Sequence, residues 1–383
     1  MTADLSAPGT GLLDRPAPEP VKGPGTARIT SVGTAVTERS YTQRELLDLF
    51  DITDPRVRSV FLNSAIERRF LTVPPRGADG GVLTETQGQL LAKHRRLTLD
   101  MGARAVRTCL ENAGVGPADV DHLCCVTTTG LLTPGLSAHL IRELGMLPRT
   151  SRVDVVGMGC NAGLNALNTT AGWAVANPGK TAVILCAEAC SAAYVTDGSM
   201  RTAVVNSLFG DGAAAVTLTA DPPDAAYGPA GVPAEQAGPR ILGFASHLIT
   251  EAIDAMRYDW DDEQGKFSFY LDPLVPYVVG AHVERVVDRL LAGAGLRRSA
   301  VSHWLVHSGG KKVIDAVRVN LGLTRHDVRH TTAVLRDYGN LSSGSFLFSY
   351  ERLLDEGVVK AGDHGVLMTM GPGSTVETAL VQW

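Results

Sequence analysis

Three side chains supply the types that thioester chemistry needs: Cys160, His307 and Asn340. A thiolate can attack an acyl carbon, an imidazole can move a proton, and a side-chain amide can donate to an oxygen as it gains charge. Taken singly, each has a plainer reading. A buried cysteine is usually a small hydrophobe, a lone histidine a structural residue, and an asparagine in Tyr338-Gly339-Asn340-Leu341-Ser342-Ser343-Gly344 a turn or cap. Local context shifts the balance. Val153 to Val156 is β-branched, Gly157 and Gly159 follow, and Leu164 and Leu167 then recur at helical spacing. This predicts a strand, a sharp turn and a buried helix, with Cys160 where the helix begins. Free N–H groups and the positive dipole end favour a thiolate there, lowering its pKa from about 8.5 towards neutrality. Trp304-Leu305-Val306 predicts a short buried strand that delivers His307 to Ser308-Gly309-Gly310.

Two other patterns share these residues. A papain-like protease uses Cys, His and Asn in this order, and the 147-residue gap (307 − 160) falls within its range of about 130 to 150. Its local signature is missing, however, and Cys160 lies far from the N-terminus. Gly157-x-Gly159 resembles a dinucleotide loop, but the third glycine, Gly163, comes one residue late.

The elements that must position the three side chains follow from the rest of the chain. Residues 1–27, with Pro8, Pro16, Pro18, Pro20 and Pro24, form a lead expected to be disordered. The N-terminal half is expected to span 28–239 and the C-terminal half 240–383, the proline-rich stretch from Asp221 to Pro239 being the linker. Thr42-x-x-Glu45 predicts a capping box, Arg56 to Phe70 a helix whose arginines could form a basic rim, Lys93 to Ala113 an amphipathic helix, and Leu136 to Leu144 another. Buried strands are expected at 122–127, 182–186, 213–218, 366–370 and 376–381, and a helix at Val283, Val286, Val287, Leu290 and Leu291. Alternating strands and helices predict a mostly parallel sheet covered on both faces. Two halves of similar build suggest an internal duplication, with ligands outside the carboxyl ends of the strands.

Composition narrows the function. Of 383 residues, 44% are hydrophobic and 20% charged, an ordinary globular balance, and a net charge of −5 argues against nucleic acid as the main partner. The six cysteines show no C-x-x-C pair or metal-ligand spacing and read as reduced thiols. With no membrane-length apolar run and no signal-peptide pattern, the expectation is a cytoplasmic, metal-free protein that avoids membranes.

Gly157-Met158-Gly159-Cys160-Asn161-Ala162-Gly163, Leu208-Phe209-Gly210-Asp211-Gly212-Ala213, Val306-His307-Ser308-Gly309-Gly310, Tyr338-Gly339-Asn340-Leu341-Ser342-Ser343 and Gly371-Pro372-Gly373-Ser374-Thr375-Val376-Glu377 occur together and in order. In this the chain resembles the type III polyketide synthases of the chalcone synthase superfamily over roughly residues 28 to 383. The resemblance implies a thiolase-like α/β fold, two duplicated halves in a layered α-β-α-β-α core. It also implies a CoA-dependent acyltransferase with no cofactor, acting on malonyl-CoA, as a homodimer served by accessory pathway enzymes. Cys160 would carry the acyl chain, activated by an ion pair with His307. His307 and Asn340 would stabilise the enolate left by decarboxylation.

The same likeness makes Phe209 and Phe269 gatekeepers between a CoA tunnel and an inner cavity. Cys190, Thr128, Ser342 and Trp260 would line that cavity, and Met370, Gly371 and Gly373 would form the loop at its wall. Met370 stands where plant relatives have phenylalanine. Arg56 matches a basic CoA-phosphate position, Ser59 and Asn63 do not, and Arg58 is the candidate to compensate. Thr133 replaces a methionine that crosses the dimer interface in relatives. The rival readings are a ketoacyl-acyl-carrier-protein synthase III-like priming enzyme, which uses the same triad, and a non-catalytic homologue acting as a binding subunit.

Overall fold

Hydrophobic alternation along the strands sets the layering. The computed structural model describes residues 25–78, 80–197, 199–220 and 238–383. The first half contains β1 (Ala27–Val36), β2 (Ser40–Thr42), α1 (Gln43–Leu49), α2 (Pro55–Leu62), β3 (Arg68–Phe70), α3 (Gln87–Ala113), β4 (Val120–Thr127) and α4 (Leu136–Leu144). It continues with β5 (Ser151–Val156), α5 (Ala162–Ala176), β6 (Thr181–Glu188), α6 (Met200–Leu208) and β7 (Gly212–Ala220). The second half contains β8 (Arg240–Leu248), β9 (Met256–Asp261), β10 (Lys266–Leu271), α7 (Val275–Ala292), β11 (Val301–Val306) and α8 (Lys311–Leu321). It ends with α9 (Arg329–Tyr338), α10 (Ser345–Glu356), β12 (His364–Gly371) and β13 (Thr375–Gln382).

The strands join in the order β11-β12-β13-β8-β1-β7-β6-β4-β5. One residue pair, Arg28 and Arg240, links β1 to β8, so the seam between the halves is nearly open. On β6, Val183, Leu185 and Ala187 face α3, whereas Ala182, Ile184 and Cys186 face the cluster containing α5 and α10. On β12, Leu367 joins that same cluster and Val366, Met368 and Met370 pack with α7. The sheets are therefore buried on both faces, with α5 and α10 as the central layer and α3 and α7 outside. This is the layered core expected.

The sheet is mixed, not mostly parallel. Pairs β4–β5, β4–β6 and β11–β12 are parallel, while β1–β7, β6–β7, β8–β13 and β12–β13 are antiparallel. A doubly covered strand is apolar throughout in either direction, so composition does not report its polarity. The Thr42–Glu45 capping box forms, and α4 spans the expected residues. The helix expected from Arg56 to Phe70 stops at Leu62; Ala65 is left-handed (φ 62°) and Arg69 enters β3. Arg69 is not part of a basic rim: it is wholly buried, donating to Tyr194 Oη (2.8 Å), Phe209 O (2.7 Å) and Gln43 Oε1 (2.9 Å). Of the 1–27 lead and the 221–239 linker, residues 1–24 and 221–237 lie outside the described residues.

Candidate active site

Cys160 sits in a single tight turn, Gly159–Asn161, between β5 and α5. Gly159 has φ 77°, and a Cβ there would lie 2.2 Å from Pro372. A Cβ on Gly371 would lie 2.3 Å from Asn161 Oδ1 and 3.0 Å from Cys160 N. The 371–374 turn is therefore seated on the backbone that carries Cys160, which needs glycines on both sides. His307 follows β11 and extends its pairing, His307 N donating to Met368 O (2.8 Å). Asn340 follows α9 and pairs with Phe209, through Asn340 N to Leu208 O (2.8 Å) and Gly210 N to Asn340 O (3.0 Å).

All three side chains line one cavity of about 670 Å³, together with Phe209, Phe269 and Met370. Ser59, Asn63, Asp272, Lys311 and Lys312 also line it. Cys160 further lines a smaller space of about 30 Å³ bounded by Thr128, Cys190, Tyr258 and Ser342. Phe209 and Phe269 touch both spaces and meet edge to face at 5.8 Å, the arrangement of a gate.

Hydrogen bonding orients the polar groups. Asn340 Oδ1 accepts from Ser342 N (2.8 Å), so its amide nitrogen, 3.4 Å from Gly309 O, keeps a proton for the cavity. His307 Nδ1 pairs with Ser345 Oγ, which also accepts weakly from Ser308 N (3.4 Å). Ser345 has no other acceptor for its hydroxyl proton among the described residues, so it donates to Nδ1. The imidazole proton then sits on Nε2, in the cavity, where it can donate to a substrate oxygen.

Burial drives the His307 imidazole down to about 3 and pushes the Cys160 thiol up to about 12, a hydrogen bond to Ser342 opposing the latter. The expected depression of the thiol by the helix start is therefore reversed: desolvation of the sulfur outweighs the dipole. Nor does an ion pair with His307 form here. The sulfur hydrogen-bonds Ser342 Oγ (3.6 Å), and burial acts against both charges of such a pair.

The structure brings Cys160, His307, Asn340, Phe209, Phe269 and Met370 together around the large cavity, and Thr128, Cys190 and Ser342 around the small one. Gly371 and Gly373 support the site from the turn behind Cys160. Arg56 is not part of the lining; its side chain is 86% exposed and lies 3.8 Å from Asp54. The Arg58 guanidinium turns to Ile52 O (2.9 Å), and Lys311 and Lys312 supply the basic charge at the cavity instead. Trp260 is half-exposed against Phe267; Tyr258, two residues earlier on β9, takes the lining position. Glu188 and Ser345 were also missed. Lys311-Lys312 directly after Gly309-Gly310 was a usable signal, while neither Glu188 nor Ser345 had one. Among the described residues no group of three or more His, Cys, Asp or Glu could hold a metal, and no helix is long and apolar enough to cross a membrane.

Comparison with known proteins agrees with this geometry. Residues 80–222 match the N-terminal domain of chalcone and stilbene synthases, and residues 256–383 the C-terminal domain. The chain is 66% identical over 382 residues to a 3,5-dihydroxyphenylacetyl-CoA synthase of Streptomyces toyocaensis, covering 100% of this chain and 94% of that protein. Among solved structures, 1,3,6,8-tetrahydroxynaphthalene synthase of Streptomyces coelicolor A3(2), a bacterial type III polyketide synthase, superposes with a TM-score of 0.81 at 26% identity, covering 93% of this chain and 99% of that one. PKS-I of the brown alga Ectocarpus siliculosus shares the fold, with a TM-score of 0.83 at 24% identity over 94% and 98% of the two chains.

Proposed function

The chain belongs to the chalcone and stilbene synthase family, the type III polyketide synthases, and on that premise we propose that it uses malonyl-CoA as both starter and extender and makes 3,5-dihydroxyphenylacetyl-CoA for glycopeptide antibiotic assembly. The full-length 66% identity to a protein of that name carries the choice of product.

In this reading Cys160 takes up the acyl group from CoA and the pantetheine arm occupies the large cavity. A second malonyl thioester then places its carbonyl oxygen against His307 Nε2–H and the Asn340 amide. As carbon dioxide leaves, negative charge gathers on that oxygen, where two preoriented donors in a dry site are each worth about 3 kcal/mol. The carbanion attacks the Cys160 thioester. Repetition gives an eight-carbon chain, which closes by carbon–carbon condensation with loss of water. A pocket of about 30 Å³ beside Cys160 suits a short chain.

A homodimer belongs to the same proposal. β5 is the edge strand of the sheet, and it leaves Val153 and Val156 exposed. An open apolar edge of this kind is normally covered. Light scattering on the purified protein should give twice the mass of one chain.

Incubation with malonyl-CoA alone tests the activity. Carbon dioxide release with a product of the mass of 3,5-dihydroxyphenylacetyl-CoA is expected. A requirement for an acyl-carrier protein would instead support a priming enzyme, and complete inertness a binding subunit.

A further inference from the structure

The reaction needs a Cys160 thiolate, yet His307 carries its cavity-facing proton on Nε2 and the sulfur points elsewhere. Cys160 Sγ donates to Ser342 Oγ (3.6 Å), and Ser342 Oγ donates to Glu188 Oε1 (3.2 Å). All three residues are buried. Glu188 closes β6 and has no cation partner among the described residues; its carboxylate accepts from Ser343 Oγ (2.6 Å), Thr128 N (2.9 Å), Thr129 N (3.2 Å) and Thr127 Oγ1 (3.5 Å). Every one of these neighbours donates, so the group is a carboxylate. Ser342 is held at φ 51°, a left-handed conformation that side chains rarely adopt, with its N–H bound by Asn340 Oδ1. Strain of this kind persists where the surroundings fix a side chain in place.

We propose that Glu188 is the base that deprotonates Cys160, acting through the Ser342 hydroxyl, while His307 serves only as a hydrogen-bond donor. The Cys160 S–H bond breaks, its proton passes to Ser342 Oγ, and the Ser342 proton passes to Glu188 Oε1. Glu188 becomes a neutral acid as the thiolate bonds to the acyl carbon. The carbon–sulfur bond to CoA then breaks, and the departing CoA thiolate recovers the proton along the same hydrogen bonds. One negative charge is present throughout and only changes place. Transfer to His307 would instead create two new charges where burial opposes both. Burial also raises the Glu188 carboxyl, bringing it nearer to the thiol it serves.

This refines the proposed synthase, and its test is separable from that reading because it follows the thiol rather than the product. The rate of Cys160 alkylation by iodoacetamide is measured across pH by peptide mass spectrometry, which distinguishes it from Cys190. Ser342→Gly removes the hydroxyl, and glycine accepts the backbone angle. In Ser342→Gly and Glu188→Gln, alkylation at neutral pH should fall by about tenfold or more, each unit of thiol pKa being a factor of ten. His307→Gln should stay within threefold, roughly half a pKa unit. If only His307→Gln slows, or if Ser342→Gly and Glu188→Gln both react at the wild-type rate, the relay is overturned. Should Glu188→Gln not fold, Ser342→Gly alone decides. Turnover of malonyl-CoA by the unaltered protein separately checks the synthase reading.

Discussion

Replacing Ser345 by Ala probes how the catalytic imidazole is held. Ser345 is wholly buried and touches His307 on the side away from the cavity, so it acts on substrate only through the ring. Its loss leaves a buried Nδ1 without a partner, costing about 1–3 kcal/mol. The ring can recover that energy by rotating or by moving its proton to Nδ1, and either change removes the Nε2–H donor. If the full cost is expressed in the transition state, decarboxylation slows by roughly 5- to 150-fold at 1.36 kcal/mol per factor of ten. The assay is carbon dioxide release from malonyl-CoA, with kcat and KM determined separately and the melting temperature as a control for folding. A fall in kcat with KM nearly constant is expected, and Ser345→Thr, which keeps the hydroxyl, should restore much of it. A folded Ser345→Ala protein with wild-type kcat, or with a change in KM alone, would refute the tautomer assignment.

Gly371→Ala should lower condensation sharply, because its methyl must displace Asn161 and the Cys160 backbone, 2.3 and 3.0 Å away; product yield at matched folded concentration checks this. Arg69→Met strands three buried acceptors, on Tyr194, Phe209 and Gln43, and should lower stability by about 3 kcal/mol or more, read from denaturant midpoints. Burial holds His94 at about 4 and His307 at about 3, below the unfolded value of about 6.5. Unfolding therefore takes up protons between these values, and stability falls as pH drops below about 6.5. Glu188 and Asp211, both raised by burial, have the opposite sign and offset part of this: their contribution is present in acid and lost as pH rises. Comparing wild type with His94→Gln cancels the shared part, and the slopes should differ by about 1.4 kcal/mol per pH unit between pH 4.5 and 6. Equal slopes would contradict the assignment.

The triad was legible because each member sits in a motif whose glycines and strand residues can be read locally, and the capping box at Thr42 and the helix at Leu136 for the same reason. What long-range packing decides was not. Glu188 meets Ser342 and Ser343 across 154 and 155 positions, and His307 meets Ser345 across 38, with no local pattern joining them. Arginines at helical spacing hid the end of α2 and the burial of Arg69, since charge alone does not reveal which guanidinium will be enclosed. The Cys160 thiol shows the same division. The helix start beside it is a local feature, but the desolvation that outweighs it comes from residues gathered from both halves of the chain.

The central claim is that Cys160 carries the growing chain. Rapid quenching during turnover of malonyl-CoA, followed by digestion at low pH and mass spectrometry, tests it most directly. Thioester adducts of β-ketoacyl mass on the Cys160 peptide, absent from Cys190 and from the Cys160→Ala protein, are expected; adducts on another residue, or product formed by Cys160→Ala, would contradict it.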